Sequence, residues 1–286
     1  MIAITGATGQ LGRATLHYLQ QKTAANQLIA LVRDPQKATD LSAQGVQVRQ
    51  GDYNDPAALR AAFEGAETVL LISGDDLEHR LQQHKNVIDA AKAVGARRVL
   101  YTSVINPAAD SHFGALPSHV ATEAYLKESG LAYTLLRNTL YLDLMPMMIG
   151  ENALVSGQIY AAAGDGRVSY ALRQDLAEAT ANILTTPGHD NQTYDLAPAP
   201  AYSFQDVAAT LSEVAGQPVQ YVPITPEALA AGMREHHVPE PIVTMMVGLS
   251  KAMAANEFNL SSPTLEQLLG RQPTDLKTFL TSVYGK

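Results

Sequence analysis

Short apolar runs recur along the first half of the chain, separated by stretches with the period of an amphipathic helix. Residues 2–5, 28–32, 46–50, 68–72, 99–102 and 133–136 are rich in Ile, Val and Leu and read as strands. They are nearly continuous rather than alternating, which suits strands covered on both faces of a parallel sheet. Between them the spacing predicts helices over 10–22, 56–63, 77–94 and 117–129. Asn54-Asp55-Pro56 sets a cap before a proline at the first helical position, and two of the helices run into Gly95 and Gly130. Repeated βα units of this kind predict an α/β fold, a Rossmann-type doubly wound parallel sheet.

After about residue 150 the rhythm changes. Gly164-Asp165-Gly166 reads as a tight turn between two short strands, followed by a helix over 173–186 and a strand over 193–196. Ser203 caps a helix ending at Gly216, with Asp206 in its first turn. Residues 219–222 form a strand, Thr225-Pro226-Glu227 opens a helix, and 239–255 is a further apolar one. The expected division is a Rossmann domain over 1–150 and a smaller, mostly helical lobe over 151–286, from which the chain is free to re-enter the first domain. No clear linker and no internal repeat separates them.

Composition narrows the function. With 46% hydrophobic and 17% charged residues, 286 residues can bury a proper core. The net charge of −8 and the lack of a basic block argue against nucleic acid as a partner. The chain has no cysteine, which excludes disulfides, thiolate catalysis and Cys-ligated metals. His79 and His84 are five apart and His236 and His237 are adjacent, so no pair has the spacing that puts two ligands on one helical face, and no metal is expected. No basic segment precedes an apolar one at the N-terminus, and no run approaches a membrane span; a cytoplasmic location is expected. Nothing in the sequence opposes a homodimer.

The strongest local pattern is Gly6-Ala7-Thr8-Gly9-Gln10-Leu11-Gly12, directly after a strand and opening a helix. Gly6 permits the turn, Gly9 lets a pyrophosphate approach the backbone, and Gly12 lets the helix pack on the sheet. Free amides and the helix dipole then meet the phosphates. The next strand ends in Arg33, with Lys37 shortly after, where NAD-binding units usually place an acid. A guanidinium grips a 2′-phosphate, so NADPH is expected over NADH. Asp34 is a carboxylate that would serve NADH, but as the start of an Asp34-Pro35 turn it has another task. Asp52 stands either near the adenine or as a turn cap. Ser73, Gly74 and Asp75 follow the fourth strand and Arg137 and Asn138 the sixth, at the edge where ligands bind.

Dehydrogenases with such loops often carry Tyr-x-x-x-Lys, the tyrosine as acid and the lysine lowering its pKa. Tyr18 and Lys22 have the spacing but lie on the first helix, about two turns from the loop. The helix after the fifth strand, where the pair belongs, reads His119-Val120-Ala121-Thr122-Glu123. Alcohol dehydrogenation and sugar epimerisation are therefore disfavoured. A quinone that accepts hydride becomes a delocalised phenolate that solvent can protonate, so proximity and orientation suffice. His119 is a candidate proton donor and Tyr141 a candidate pocket residue, with a structural histidine as the plainer reading of the first. Seven of the methionines, from Met145 to Met253, lie in the later half, as core filling or as the lining of a cavity for flat substrates.

These segments, with Ala30-Leu31-Val32-Arg33, Leu70-Leu71-Ile72-Ser73, Tyr133-Thr134-Leu135-Leu136-Arg137-Asn138 and Ala163-Gly164-Asp165-Gly166, resemble the NmrA-like atypical short-chain dehydrogenases, and within them the quinone and triphenylmethane dye reductase branch. The resemblance covers the whole chain. It implies a Rossmann domain with a small C-terminal lobe and a substrate cleft between them, NADPH as cofactor, no flavin, and no Tyr/Lys pair. It also implies cofactor contacts from Gly6, Ala7, Thr8, Gly9, Gln10, Leu11, Arg33, Ser73, Gly74, Asp75, Arg137, Asn138, Thr139, Leu140, Tyr141, Leu142 and, after the Gly164 turn, Arg173. The expected activity is NADPH-dependent hydride transfer to quinones or similar conjugated aromatic electrophiles. The alternatives are a dye reductase and a non-catalytic NADP(H) sensor of the NmrA type.

Overall fold

A computed structural model describes residues 1–285. The chain runs β1 (Ile2–Ile4), α1 (Gln10–Gln20), β2 (Leu28–Val32), α2 (Thr39–Ala43), β3 (Gln47–Gln50), α3 (Pro56–Phe63), β4 (Thr68–Leu71), α4 (Arg80–Ala93), β5 (Arg98–Val104), α5 (Leu116–Glu128) and β6 (Ala132–Asn138). It continues through α6 (Met145–Ile149), α7 (Ala153–Ser156), β7 (Gln158–Ala161), α8 (Arg173–Thr185), β8 (Gln192–Leu196), α9 (Phe204–Ala215), β9 (Gln220–Pro223), α10 (Pro226–Glu235), α11 (Glu240–Ala254), α12 (Thr264–Leu269) and α13 (Leu276–Tyr284). Two compact units emerge. The first is built from Met1–Val104, Ser118–Asn138 and Arg173–Asp195. The second takes Ile105–Pro117, Thr139–Leu172 and the chain from Leu196 on.

In the first unit seven strands form one sheet in the order β3-β2-β1-β4-β5-β6-β8. Five parallel pairings join β1 to β6, with Ile2 opposite Leu28 and Thr68, and Val99 opposite Tyr133. This is the predicted Rossmann-type α/β sheet. The strand order reverses between β1 and β4, the switch point at which such sheets open a crevice at their carboxyl edge. Alternate residues serve the two faces. Ile29, Leu31, Val69, Leu71, Val99, Tyr101 and Leu135 pack with Leu59 and Phe63 of α3, Val87 and Ile88 of α4, and Leu126 of α5. Each fully buried Leu or Ile in such a core contributes roughly 1.5–3 kcal/mol relative to exposure. α1 and α8 pack on each other, and among their buried residues are Leu16 and Leu19 of α1 and Ala177 and Ala181 of α8.

Local chemistry explains the boundaries. Asp55 accepts from the amides of Ala57 and Ala58, so α3 starts at Pro56 as predicted. α4 starts three residues later than its predicted start at 77, because the Asp76 carboxylate accepts from the His79 amide and turns the chain first. Asp52 accepts from the Asn54 amide, which assigns it the turn.

The second unit holds the parallel pair β7–β9 and helices α6, α7 and α9–α13. Ser203 and Asp206 form a reciprocal capping box on α9, as the sequence suggests. The Gly164-Asp165-Gly166 turn is present, but the expected strand pair around it is not. Val168 makes only an isolated antiparallel bridge with Tyr202, and β7 pairs with β9 instead. α13, absent from the sequence expectation, is capped by Asp275 and buries Leu276, Phe279 and Leu280. Among the described residues no helix is long and apolar enough to cross a membrane, and no group of three His, Cys, Asp or Glu side chains is arranged to hold a metal.

Candidate functional site

The loop from β1 to α1 is shaped by close backbone contact. Gly6 adopts a φ of +57°, and its carbonyl accepts from the Gly9 amide at 3.0 Å. A side chain on Gly12 would place its Cβ 2.3 Å from that carbonyl oxygen and 2.9 Å from Ala7 Cα, so only glycine fits. α1 has no side-chain cap and no acidic residue in its first turn. Its first amides, at Gln10, Leu11 and Gly12, therefore lack helical acceptors, and the positive end of its dipole is not neutralised. Ala7 and Leu11 are buried and present backbone; Gly6, Gly9 and Gln10 are exposed and Thr8 is partly so. Arg173, at the start of α8, donates from Nη1 to Gln10 Oε1 at 2.8 Å, which brings a cation to this loop. The arrangement can receive a phosphate-bearing ligand.

Tyr53 braces the loop from beneath. Its hydroxyl bonds to the Thr5 hydroxyl and donates to the Ile72 carbonyl at 2.9 Å, while Thr5 Oγ1 accepts from the Ile72 amide at 3.0 Å. The ends of β1 and β4 are thereby joined through one aromatic side chain. Burial raises the Tyr53 pKa above its usual value, so the hydroxyl stays protonated as this geometry requires.

At the end of β2 the charges sort themselves. Asp34 is committed: its carboxylate accepts from the Gln36 amide at 3.0 Å and caps the turn over Pro35–Ala38. Asp40 is paired with Arg13 at 2.6 Å, and Arg13 also donates to the Lys37 carbonyl. Arg33 is exposed, and among the described residues its guanidinium makes no ion pair. A cation without a counter-ion stands beside an acid already occupied.

At the end of β4 the Ser73 amide donates to Thr102 Oγ1 at 2.8 Å, and the Ser73 hydroxyl is buried without a partner. Both polar groups of the Gly74 backbone are taken by side chains of α4: Arg80 Nε donates to its carbonyl and His84 Nε2 accepts from its amide. Asn138, at the end of β6, is likewise buried with its Oδ1 unpartnered. Two polar atoms without a hydrogen-bond partner among the described residues thus lie at the carboxyl ends of strands in one parallel sheet, and each calls for one.

Arg137 is placed differently. Its guanidinium forks onto buried Glu123 of α5, Nε to Oε1 at 2.9 Å and Nη2 to Oε2 at 2.7 Å, and Ser103 donates to the same carboxylate. The helix positions where a Tyr/Lys pair would stand therefore hold a closed network. His119 is buried, with Nδ1 against the Tyr101 hydroxyl at 2.7 Å. Burial, helped by the Arg80 charge, pushes its pKa down to about 3. Lys22 lies beyond the end of α1, so the Tyr18/Lys22 spacing does not form a pair on one helix. In the second unit the segment from Thr139 to Leu142 is pinned to residues 169–171. Thr139 donates to the Ser169 carbonyl, the Ala171 amide to Leu140, and the Leu142 amide to Ala171; Tyr141 bridges Ala171 and is half-buried.

The sequence expectation gave Tyr53, Arg80 and His84 no place in the site. One pattern carries the last two: Arg80, Gln83 and His84 occupy the same helical stripe as apolar Val87, Ile88 and Ala91, so the core-facing side of α4 is polar only in its first turns.

Comparison with known proteins shows the family. The NmrA-like family model matches residues 1–283. Quinone oxidoreductase 2 of Escherichia coli is 39% identical over 285 residues, covering 100% of this chain and 99% of that protein. The NADPH complex of that enzyme superposes with a TM-score of 0.95 over 100% of both chains, at 38% identity. Citrobacter sp. triphenylmethane reductase in complex with NADP(H) gives 0.93 at 36% identity, over 99% of this chain and 100% of that one. The NAD(P)H azoreductase of Xenophilus azovorans is 33% identical over 246 residues, 86% of this chain and 85% of that protein.

Proposed function

Because this chain belongs to the NmrA-like family, we propose that it is an NADPH-dependent oxidoreductase passing hydride to quinones or similar conjugated aromatic electrophiles. The observation that carries the cofactor choice is unpaired Arg33 beside a capped Asp34. When bound, NADPH would supply the hydride. The amides of the Gly6 to Leu11 loop would receive its pyrophosphate, with Arg173 adding charge through its place on Gln10. Arg33 would take the 2′-phosphate with Lys37 nearby. Ser73, Gly74, Asp75 and Asn138 would face the rest of the dinucleotide, the orphaned Ser73 Oγ and Asn138 Oδ1 finding their partners there. Thr139 to Leu142 would continue the contact by backbone. Arg137, held by Glu123, would contribute through its main chain.

The absence of a dedicated acid fits such acceptors. His119 carries no spare proton at neutral pH, because burial holds it in the neutral form. A reduced quinone is a stabilised phenolate and takes its proton from water, so the protein's task reduces to binding and orientation. A cationic triphenylmethane dye becomes neutral outright on accepting hydride and needs no proton, so a reductase of such dyes differs from the quinone reading only in substrate.

The test is NADPH oxidation by purified, flavin-free protein with and without a simple benzoquinone, with NADH as control. Quinone-dependent oxidation that favours NADPH is expected. Tight NADPH binding with no turnover on quinones or dyes would overturn the enzyme reading in favour of an NADP(H) sensor.

A further inference from the structure

Three buried polar side chains, Arg80, Gln83 and His84, sit on the first turns of α4, each less than a tenth exposed. Burying a guanidinium is costly, and among the described residues Arg80 has no carboxylate within ion-pairing distance. Its hydrogen bonds go to the Gly74 carbonyl at 2.8 Å and to Ser118 Oγ at 3.5 Å. His84 is fully buried and has one consistent tautomer. Thr122 Oγ1 donates its proton to the Ser118 carbonyl at 2.8 Å, so it must accept from His84 Nδ1–H at 2.9 Å. That leaves Nε2 unprotonated, free to accept the Gly74 amide at 3.3 Å. Burial, with the nearby His119 and Arg80, pushes the His84 pKa down to about 3, which keeps this acceptor available. Gln83 completes the set by donating to Asp76 at 3.2 Å.

We propose that Arg80 and His84 are positioning residues that clamp the Gly74 peptide at both ends and preset the Ser73-Gly74-Asp75 segment for the cofactor. The inference rests on the cofactor reading above. The clamp removes from the ligand's reach two backbone groups that would otherwise compete for it, and Thr102 removes a third, the Ser73 amide. The Ser73 hydroxyl beside them is buried, with no hydrogen-bond partner among the described residues. The segment is thus held in one arrangement before any ligand arrives, and binding does not bear the cost of ordering it.

Two isosteric substitutions separate this from a merely structural histidine. In His84→Gln the amide oxygen can reach the place of Nε2 and keep the Gly74 bond. In His84→Asn the shorter amide reaches only the place of Nδ1 and keeps the Thr122 bond. The reading expects His84→Asn to weaken NADPH binding about tenfold, equivalent to about 1.4 kcal/mol. The KM for NADPH should rise while the KM for quinone holds, and hydrogen exchange should speed up at residues 73–76. His84→Gln should remain within a few-fold of wild type in all of these. Equal NADPH affinity in the two variants, or a rise in both KM values together with unchanged exchange, overturns the proposal. Wild-type protein alone supplies a test that needs no variant to fold. Without NADPH, the Gly74 amide must exchange at least about tenfold slower than in an unstructured chain; fast exchange that slows only when NADPH is added overturns the preset clamp. If wild type binds no NADPH at all, the cofactor reading fails, while the exchange data still decide whether the clamp exists.

Discussion

Replacing Arg33 by Ala separates the two nicotinamide cofactors by a single phosphate. The side chain is exposed, ends a strand and makes no ion pair among the described residues, so its removal leaves the fold nearly untouched. A hydrogen bond to a charged partner contributes roughly 1.5–3 kcal/mol. Exposure at the mouth of the site moves the expectation to the lower part of that range, and Lys37 retains some of the charge. The loss in NADPH affinity is therefore about tenfold, rising toward a hundredfold if both guanidinium nitrogens engage. NADH, which lacks the phosphate, should lose less than about twofold. Asp34 cannot step in for the ribose hydroxyl without giving up its cap on Gln36. Titration of nicotinamide fluorescence with both cofactors measures the ratio directly. Equal losses for the two, or an unchanged NADPH affinity, would refute the 2′-phosphate role and place the selectivity elsewhere.

Gly12→Ala should cost about 1–3 kcal/mol in urea denaturation and abolish tight NADPH binding, because its Cβ would lie 2.3 Å from a backbone oxygen that cannot move alone. Arg137→Met should destabilise the fold by roughly 3 kcal/mol, since it leaves the Glu123 carboxylate buried with its main partner gone, and unchanged denaturation midpoints would contradict that pairing. His84 and His119 both have folded pKa values of about 3 against about 6.5 in an unfolded chain, so the unfolded state binds more protons between these values. Stability should be full above about pH 6.5 and fall as pH drops through that window, by up to about 1.4 kcal/mol per unit for each histidine; His119→Gln should flatten the slope measured by denaturation at pH 7, 6 and 5. Tyr18→Phe should leave turnover unchanged, and a large drop would show that the Tyr18/Lys22 spacing has a function after all.

The sequence spoke clearly where local chemistry decides. β2 is an uninterrupted run of five buried apolar residues, and α3 begins where Asp55 and Pro56 require it. The turn from β1 into α1 was equally legible, because Gly6 takes a positive φ and a Cβ at Gly12 has no room. Legibility failed where partners lie far apart along the chain. Val168 meets Tyr202, thirty-four positions away, rather than the near strand that a tight turn suggested. Arg137 looked like a cleft residue because it ends an apolar strand, yet β6 turns it toward Glu123 on the preceding helix. The contacts on Gly74 were hidden for another reason: His84 enters the sequence reading only for metal-ligand spacing and Arg80 not at all, although both lie on the stripe of α4 that the fold buries.

The path of the chain has a consequence for any attempt to exchange parts of this protein. It passes between the two units five times, at 104/105, 117/118, 138/139, 172/173 and 195/196. The second unit is therefore not a terminal cassette, and a gene cut at residue 150 would take α8 and β8 away from the sheet that they complete. α1 would lose the helix that packs on it. Recombination that joins one parent's beginning to another's end would divide the seven-stranded unit between two parents. This chain is thus open to change by point substitution and loop replacement more readily than by shuffling of whole segments.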